Sequence, residues 1–321
     1  MESCCEPSPG SMRNGLDIAG WLSRAFSVLA LFITAGVSLF SAQTSAIVDS
    51  ASGLRLHVAE EDTLPALRIL LPDESDSSRG IKVLFPEHLT VREHGRSAAE
   101  HLYLWRPGRQ GNGPAWRRLG QSLEYKMNLK GSVHLIARAT LESDGVRYHF
   151  QFMNHSDINY DSVQAIWDPR LYQSIFRDVR LERTYVHRKE GFQLLAVDMP
   201  ARLVMPLDKW LPCRYLDSYT WPVPPLNKRV VKEEGITYYN ASRPVDEPFI
   251  ATVSRDGKWV AATWTRTTGN VWTNPELTCQ HADPETSLRA EGTISLEGKT
   301  FIFRGTLNQV LEKVRHERHG E

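Results

Sequence analysis

Leu123 to Ser156 reads LEYKMNLKGSVHLIARATLESDGVRYHFQFMNHS. Apolar side chains recur at every second position. They are Leu123, Tyr125, Met127 and Leu129; then Val133, Leu135, Ala137, Ala139 and Leu141; then Val146, Tyr148, Phe150 and Phe152. A two-residue period belongs to strands with one face in a core and the other in water. Asp144-Gly145, between the last two runs, predicts a hairpin, because both residues tolerate positive φ. Taken as a two-residue turn, it sets Leu141 opposite Tyr148, Ala139 opposite Phe150 and Ala137 opposite Phe152. A slip of one residue would set apolar against polar along the whole pair. The other face is a polar strip that pairs Glu142 with Arg147, Thr140 with His149, Arg138 with Gln151 and His134 with His155. Such a strip is either a solvated face or a surface offered to a ligand.

The same reading extends along the chain. Asp256-Gly257 joins Phe249–Arg255 to Lys258–Thr265, with Val253 on Val260, Ala251 on Ala262 and Phe249 on Trp264. Glu297-Gly298 predicts a third hairpin, from Gly292–Leu296 to Lys299–Arg304. Shorter strands are expected at Leu54–Val58, Leu67–Leu71, Ile81–Phe85, His101–Trp105, Gln193–Val197 and Ile236–Tyr239. Helix is expected once, over Thr306–His316, where Leu307, Val310, Leu311 and Val314 share a face and Thr306 caps. It is expected to dock on a sheet edge, with Arg315–Glu321 as a frayed tail. The long stretch Met199–Asn227, with six prolines, is a loop, since proline at that density cannot sit in a central ladder. The fold class that follows is all-β: a large antiparallel β-sandwich with a short C-terminal helix.

The chain has 321 residues, 38 Lys+Arg against 38 Asp+Glu, and 41% hydrophobic residues, which is globular composition. The zero net charge argues against a nucleic-acid partner, since phosphate binding draws on an excess of basic groups. Ala25–Phe40 (AFSVLALFITAGVSLF) is an uncharged run preceded by Arg13 and Arg24 and followed by small polar residues. That order is a secretory signal peptide, with cleavage expected after Ala46. The rival reading is an uncleaved anchor, for which the run is short. Residues 1–46 are therefore expected to be an export signal and 47–321 one domain, secreted or periplasmic, with no membrane span after cleavage. Cys213 and Cys279 remain, either bridged or as two buried thiols.

Motifs for phosphate loops, nucleophile elbows and zinc are missing from the sequence. No cofactor or metal is expected. His88 and His94 lie with Glu87 and Glu93 in PEHLTVREHG, where a surface turn explains them as well as a metal site does. Two sequons, Asn154-His155-Ser156 and Asn240-Ala241-Ser242, matter only in a host that glycosylates. Two stretches mix aromatic, amide, acidic and basic groups. One runs through Trp167-Asp168-Pro169 and Phe176–Val186, the other over Asn270–Pro284. Sugar sites need this mixture: aromatic faces for C–H surfaces and planar polar groups for hydroxyls.

The run Leu123–Ser156 resembles the central strands of the galactose-mutarotase-like β-supersandwich. The Phe176–Val186 and Cys279–Pro284 (CQHADP) segments resemble stretches of secreted bacterial proteins of that architecture. The resemblance implies a concave sheet facing a carbohydrate. Mutarotases of this fold move a proton between ring oxygen and anomeric hydroxyl with histidines and a carboxylate, and polysaccharide lyases and some glycoside hydrolases carry related domains. No residue's role is carried over from it.

The chain's own residues supply the candidates. A carbohydrate-active enzyme (lyase, hydrolase or epimerase) would transfer protons through His281, with Asp178, Glu276 or Asp283 as carboxylate partner. Arg177 and Arg183 would hold the substrate, with Trp210, Trp264, Trp272, His149 and Arg138 as further contacts. A non-catalytic carbohydrate-binding module would use the same groups without a titrating pair. A structural cell-envelope protein would show an apolar patch and no cleft.

Overall fold

The computed structural model describes residues 47–49, 51–59, 64–97, 99–102, 114–129, 132–198, 213–216, 231–233, 236–241, 245–273 and 277–319. They belong to one compact unit, Gln43–Glu321. The expected signal segment, Trp210, Glu276 and most of the proline-rich loop lie outside the described residues.

The elements run β1 (Ile47–Val48), β2 (Arg55–Ala59), β3 (Ala66–Leu70), β4 (Ile81–Glu93) and β5 (Glu100–Leu102). Next come β6 (Arg117–Leu119), β7 (Ser122–Leu129), β8 (Val133–Glu142), β9 (Gly145–Asn154) and β10 (Tyr160–Arg170). β11 (Thr184–Arg188) and β12 (Gly191–Leu194) lead into the one-turn helix α1 (Leu195–Asp198). β13 (Cys213–Leu216), β14 (Val231–Glu233) and β15 (Ile236–Ala241) precede β16 (Phe249–Val253) and β17 (Trp259–Thr265). The chain closes with β18 (Thr268–Thr273), β19 (His281–Leu288), β20 (Thr293–Arg304) and α2 (Leu307–His319).

Two sheets result. One is ordered β1-β2-β3-β4-β10-β19-β18-β13-β15-β14, with β5 on β4; the other is β12-β11-β16-β17-β20-β9-β8-β7-β6. All pairs are antiparallel except β13 with β15. A continuous core lies between the sheets. Leu67, Ile69, Val83, Phe85, Ala165 and Trp167 enter it from one side, and Leu123, Tyr125, Leu135, Tyr148, Phe150 and Phe152 from the other. Phe85 meets Phe150 at 4.4 Å between ring centres, and Phe150 stacks on Trp167 at 5.7 Å. The architecture is the expected all-β sandwich.

The hairpin that decides the fold forms with its faces as expected and its register moved. Ser143 and Asp144 make the turn, so Glu142 pairs with Gly145, Leu141 with Val146, Ala139 with Tyr148 and Ala137 with Phe150. The expected Leu141–Tyr148 and Thr140–His149 pairs are replaced; Thr140 faces Arg147 and Arg138 faces His149. Gly145 is a strand residue rather than a turn residue. A Cβ there would lie 2.0 Å from the Thr300 carbonyl oxygen, so only glycine lets β20 approach. A shift of two residues keeps every side chain on its own face, so the core is unaffected. The β16–β17 hairpin has the expected register.

The third expected hairpin does not exist. β20 runs unbroken through Glu297-Gly298, and Gly298 pairs with Tyr148 on one side and Thr265 on the other. Its Cβ would come 2.3 Å from Trp167 Cζ2 and 2.4 Å from the Trp264 carbonyl oxygen. The glycine makes room for an indole and is not a turn signal. Gln193–Val197 is strand only to Leu194 and then turns into α1. The terminal helix lies on the face of β16, β17 and β20, with Val310 and Val314 against Phe249, Ala262, Trp264 and Phe301, not at an edge. Its charged end is helical to His319. Arg315 and Arg318 bind Glu247 at 3.1 and 3.0 Å, and Glu317 accepts from Arg147.

Gly298→Ala is expected to destabilise the protein by about 1–3 kcal/mol through overpacking against Trp167. Urea unfolding would show a lower midpoint at unchanged slope, and Trp167→Phe in the same chain is expected to recover part of the loss.

Candidate functional site

On β10, Val163, Ala165 and Trp167 point into the core, so Ile166, Asp168 and Arg170 point the other way, off the outer face of the larger sheet. The antiparallel register of β10 with β19 (Gln164 on Glu285, Arg170 on Cys279) brings His281 beside Asp168. β18 adds Trp272 directly across from His281. On the other flank, Asp168 pairs with Leu84 and Ile166 with His88, so Phe85, Pro86 and Glu87 together face Trp167. This bulge lets Phe85 reach the core while Glu87 turns toward Arg170. Glu87, Arg170, Asp168, His281, Asp283 and Trp272 thus come from four neighbouring strands.

The groups form a row of alternating charge. Arg170 donates through Nε to Asp168 Oδ2 and reaches Glu87 Oε1 with a terminal nitrogen at 3.0 Å. His281 Nε2 stands 3.1 Å from Asp168 Oδ1, as an ion-pair contact. Its Nδ1 meets Asp283 Oδ1 at 3.2 Å. Trp272 stacks on the imidazole at 3.8 Å and donates its Nε1–H to Asp283 Oδ2 at 2.9 Å. The His281 and Asp168 side chains are 1% and 2% exposed, whereas Glu87 is 26% exposed. The row is sealed in its middle and open at the Glu87 end.

Burial alone would raise the Asp168 carboxyl, but His281 and Arg170 outweigh it and hold it below the usual carboxylate range. Burial opposes the charge on His281, yet the Cys279 sulfur and Asp168 keep the ring protonated well above its ordinary value. Glu87 goes the other way. Burial, with Asp168 adding repulsion, pushes it up to about 7 against the pull of His281 and Arg170. The carboxyl raised toward neutrality is therefore the partly exposed one, Glu87.

Asp168, Cys279 and His281 offer three donor atoms within 4.8 Å of one another. The guanidinium and imidazolium already neutralise Asp168, so a cation there would have to displace them.

Of the sequence candidates, His281, Asp283 and Trp272 come together here. Asp178 sits elsewhere: it accepts backbone N–H bonds from Glu182 and Arg183 and a hydroxyl from Thr184, closing its own loop. Arg183 spans that loop to the Val253 and Arg177 carbonyls. Arg177 is exposed. Trp264 is buried under α2. Arg138 and His149 are on the other sheet, bound to Glu124 at 2.6 Å and to Ser295 at 3.1 Å. Trp210 and Glu276 lie outside the described residues, as does the Cys213 side chain. His88 lies on β4 and His94 one residue past its end, so extended chain separates them by roughly 20 Å, too far for one metal. Asn154 is buried, with its amide donating to the Ile158 and Arg289 carbonyls, so the first sequon is closed to modification in the folded chain. In sequence, Asp168, Arg170 and Glu87 carried no catalytic role: Asp168 figured only within the mixed Trp167-Asp168-Pro169 stretch, Arg170 not at all, and Glu87 only beside His88. The signal for the first two was the charge pair flanking Pro169; nothing in sequence placed Glu87 beside them.

No protein-family model matches the sequence, and no curated protein does. Solved structures do match. The chain is similar to galactose mutarotase-like proteins. One, from Lactobacillus casei, is 10% identical over 81% of this chain and 100% of its own, at a TM-score of 0.43. A putative aldose 1-epimerase from Escherichia coli K12 is 11% identical over 81% and 99%, at 0.45. An α-N-acetylgalactosaminidase from Bifidobacterium bifidum is 9% identical over 85% of this chain and 38% of its own, at 0.47. At these identities and scores, no activity follows from the likeness.

Asp168→Asn is expected to cost on the order of 3 kcal/mol in urea unfolding, because it leaves two buried cations short of a counter-charge. In the same variant, the His281 ring signals are expected to begin titrating within the neutral range by NMR, where the parent's do not.

Proposed function

We propose that this protein is a carbohydrate-active enzyme that works by proton transfer, with Glu87 as the group that gives or takes the proton. The observation that carries the reading is the placing of a partly exposed carboxyl, raised to about 7, at the open end of a buried charged row. A catalytic acid–base group is most effective when its pKa lies near the working pH. Arg170 holds the Glu87 carboxylate in place at 3.0 Å and is itself anchored on Asp168. His281, locked between Asp168 and Asp283, serves as a fixed positive charge behind Arg170 and Asp168. The carboxylate of Glu87 and the guanidinium of Arg170, both partly exposed, are the planar acceptor and donor that suit vicinal hydroxyls. Export through the Ala25–Phe40 segment belongs to the same reading, and N-terminal sequencing of the exported chain is expected to begin at Ile47.

Turnover is expected to show an inflection at about pH 7 that Glu87→Gln removes together with most of the rate, read as kcat against pH on a glycan panel. Retention of full activity by Glu87→Gln would end the assignment. The same variant has a stability signature. The folded chain holds the Glu87 proton more tightly than the unfolded chain. This stabilising contribution is therefore complete below the ordinary glutamate pKa and lost as pH rises through about 7. Glu87→Gln is expected to lose less stability than the parent over that rise.

A further inference from the structure

β10 ends at Arg170, and the next residues line an open cleft of about 420 Å³. Three arginines from three separate segments line it: Arg79, Arg177 and Arg255, beside Tyr172 and Gln173. Among the described residues no carboxylate lines the cleft. Arg79 has a distant partner, Glu74, at 3.6 Å, and among the described residues neither Arg177 nor Arg255 has a carboxylate partner. Several arginines elsewhere are matched: Arg138 with Glu124, Arg147 with Glu142 and Glu317, Arg170 with Asp168 and Glu87.

The arginine positions are held by their backbones. Arg79 N–H donates to the Asp76 carbonyl, Arg177 N–H to the Ser174 carbonyl and Arg255 N–H to the Ile175 carbonyl. The Arg177 carbonyl accepts from Arg183. Gln173 is fixed as well: its Oε1 accepts from Arg68 at 3.0 Å, which leaves its amide N–H groups to donate. Three arginines around one cleft give it a positive potential that favours an anion. Guanidinium forks match the geometry of an oxyanion.

The cleft adjoins the candidate site. Lys82 pairs with Arg170 across β4 and β10, and its ammonium lies 5.7 Å from the centre of the Tyr172 ring. We infer that this cleft binds the carboxylate of an acidic sugar, so that the substrate is a uronate-containing glycan whose charged unit lies beyond the end of β10. The inference deepens the carbohydrate reading above and rests on it.

The test is calorimetric titration of the purified protein at low salt with oligogalacturonate, a neutral maltooligosaccharide and inorganic phosphate. Each is repeated on Arg177→Ala/Arg255→Ala, with Tm as the control for folding. Expected are tighter binding of the oligogalacturonate than of the neutral chain, weakening with added salt, and a loss of at least about tenfold in the double variant at unchanged Tm. Equal binding of acidic and neutral chains, or equal binding by parent and variant, overturns the inference. Glu87-dependent turnover of neutral sugars alone overturns it while leaving the proposed function standing. Arginine-dependent binding of phosphate with no sugar bound overturns both.

Discussion

Asp168 is the point on which the site turns. It lies near the end of a central strand, almost without solvent, and carries a charge that burial alone would not allow. Arg170 on one oxygen and His281 on the other make it tolerable, and each of those cations needs a further carboxylate in turn. A row of this kind works as a unit, since removing one member leaves its neighbours buried and unmatched. It also ties four strands together sideways, so the register of β4, β10, β18 and β19 and the protonation of the row depend on each other.

That constraint explains the look of these strands in sequence. β7, β8 and β9 alternate cleanly because one face is core and the other is polar and partly wet. β10 and β19 are buried on both faces, one by apolar packing and the other by charge pairing, so YDSVQAIWDPR and HADPETSL show no two-residue period. Both also contain proline, which argues against a central strand on propensity alone. The stretches that looked irregular are the ones that hold the chemistry.

The two sheets divide the work. The polar strip of the Leu123–Ser156 hairpin is spent on ion pairs with Glu124, Glu142 and Glu317 and on seating α2. The outer face of the other sheet carries the titrating carboxyl, and the arginine cleft lies where that face ends. Proton chemistry and anion recognition would then be neighbours on one surface, linked through the Arg170–Tyr172 segment.

By itself, the sequence determined the fold class, the strands of the decisive hairpin and the face each of its residues shows, because side-chain direction in a strand follows parity and parity is local. It also marked His281, Asp283 and Trp272 as residues worth watching. Register was not local: the hairpin moved by two residues because Gly145 was needed where β20 passes, and Gly298 stayed in strand because Trp167 fills the space above it. Nor was the joining of Glu87 to Arg170 and Asp168, which lie some eighty positions apart and meet only because β4 bulges beside β10. Those outcomes depend on what packs against a residue from elsewhere in the chain, and only the tertiary structure decides that.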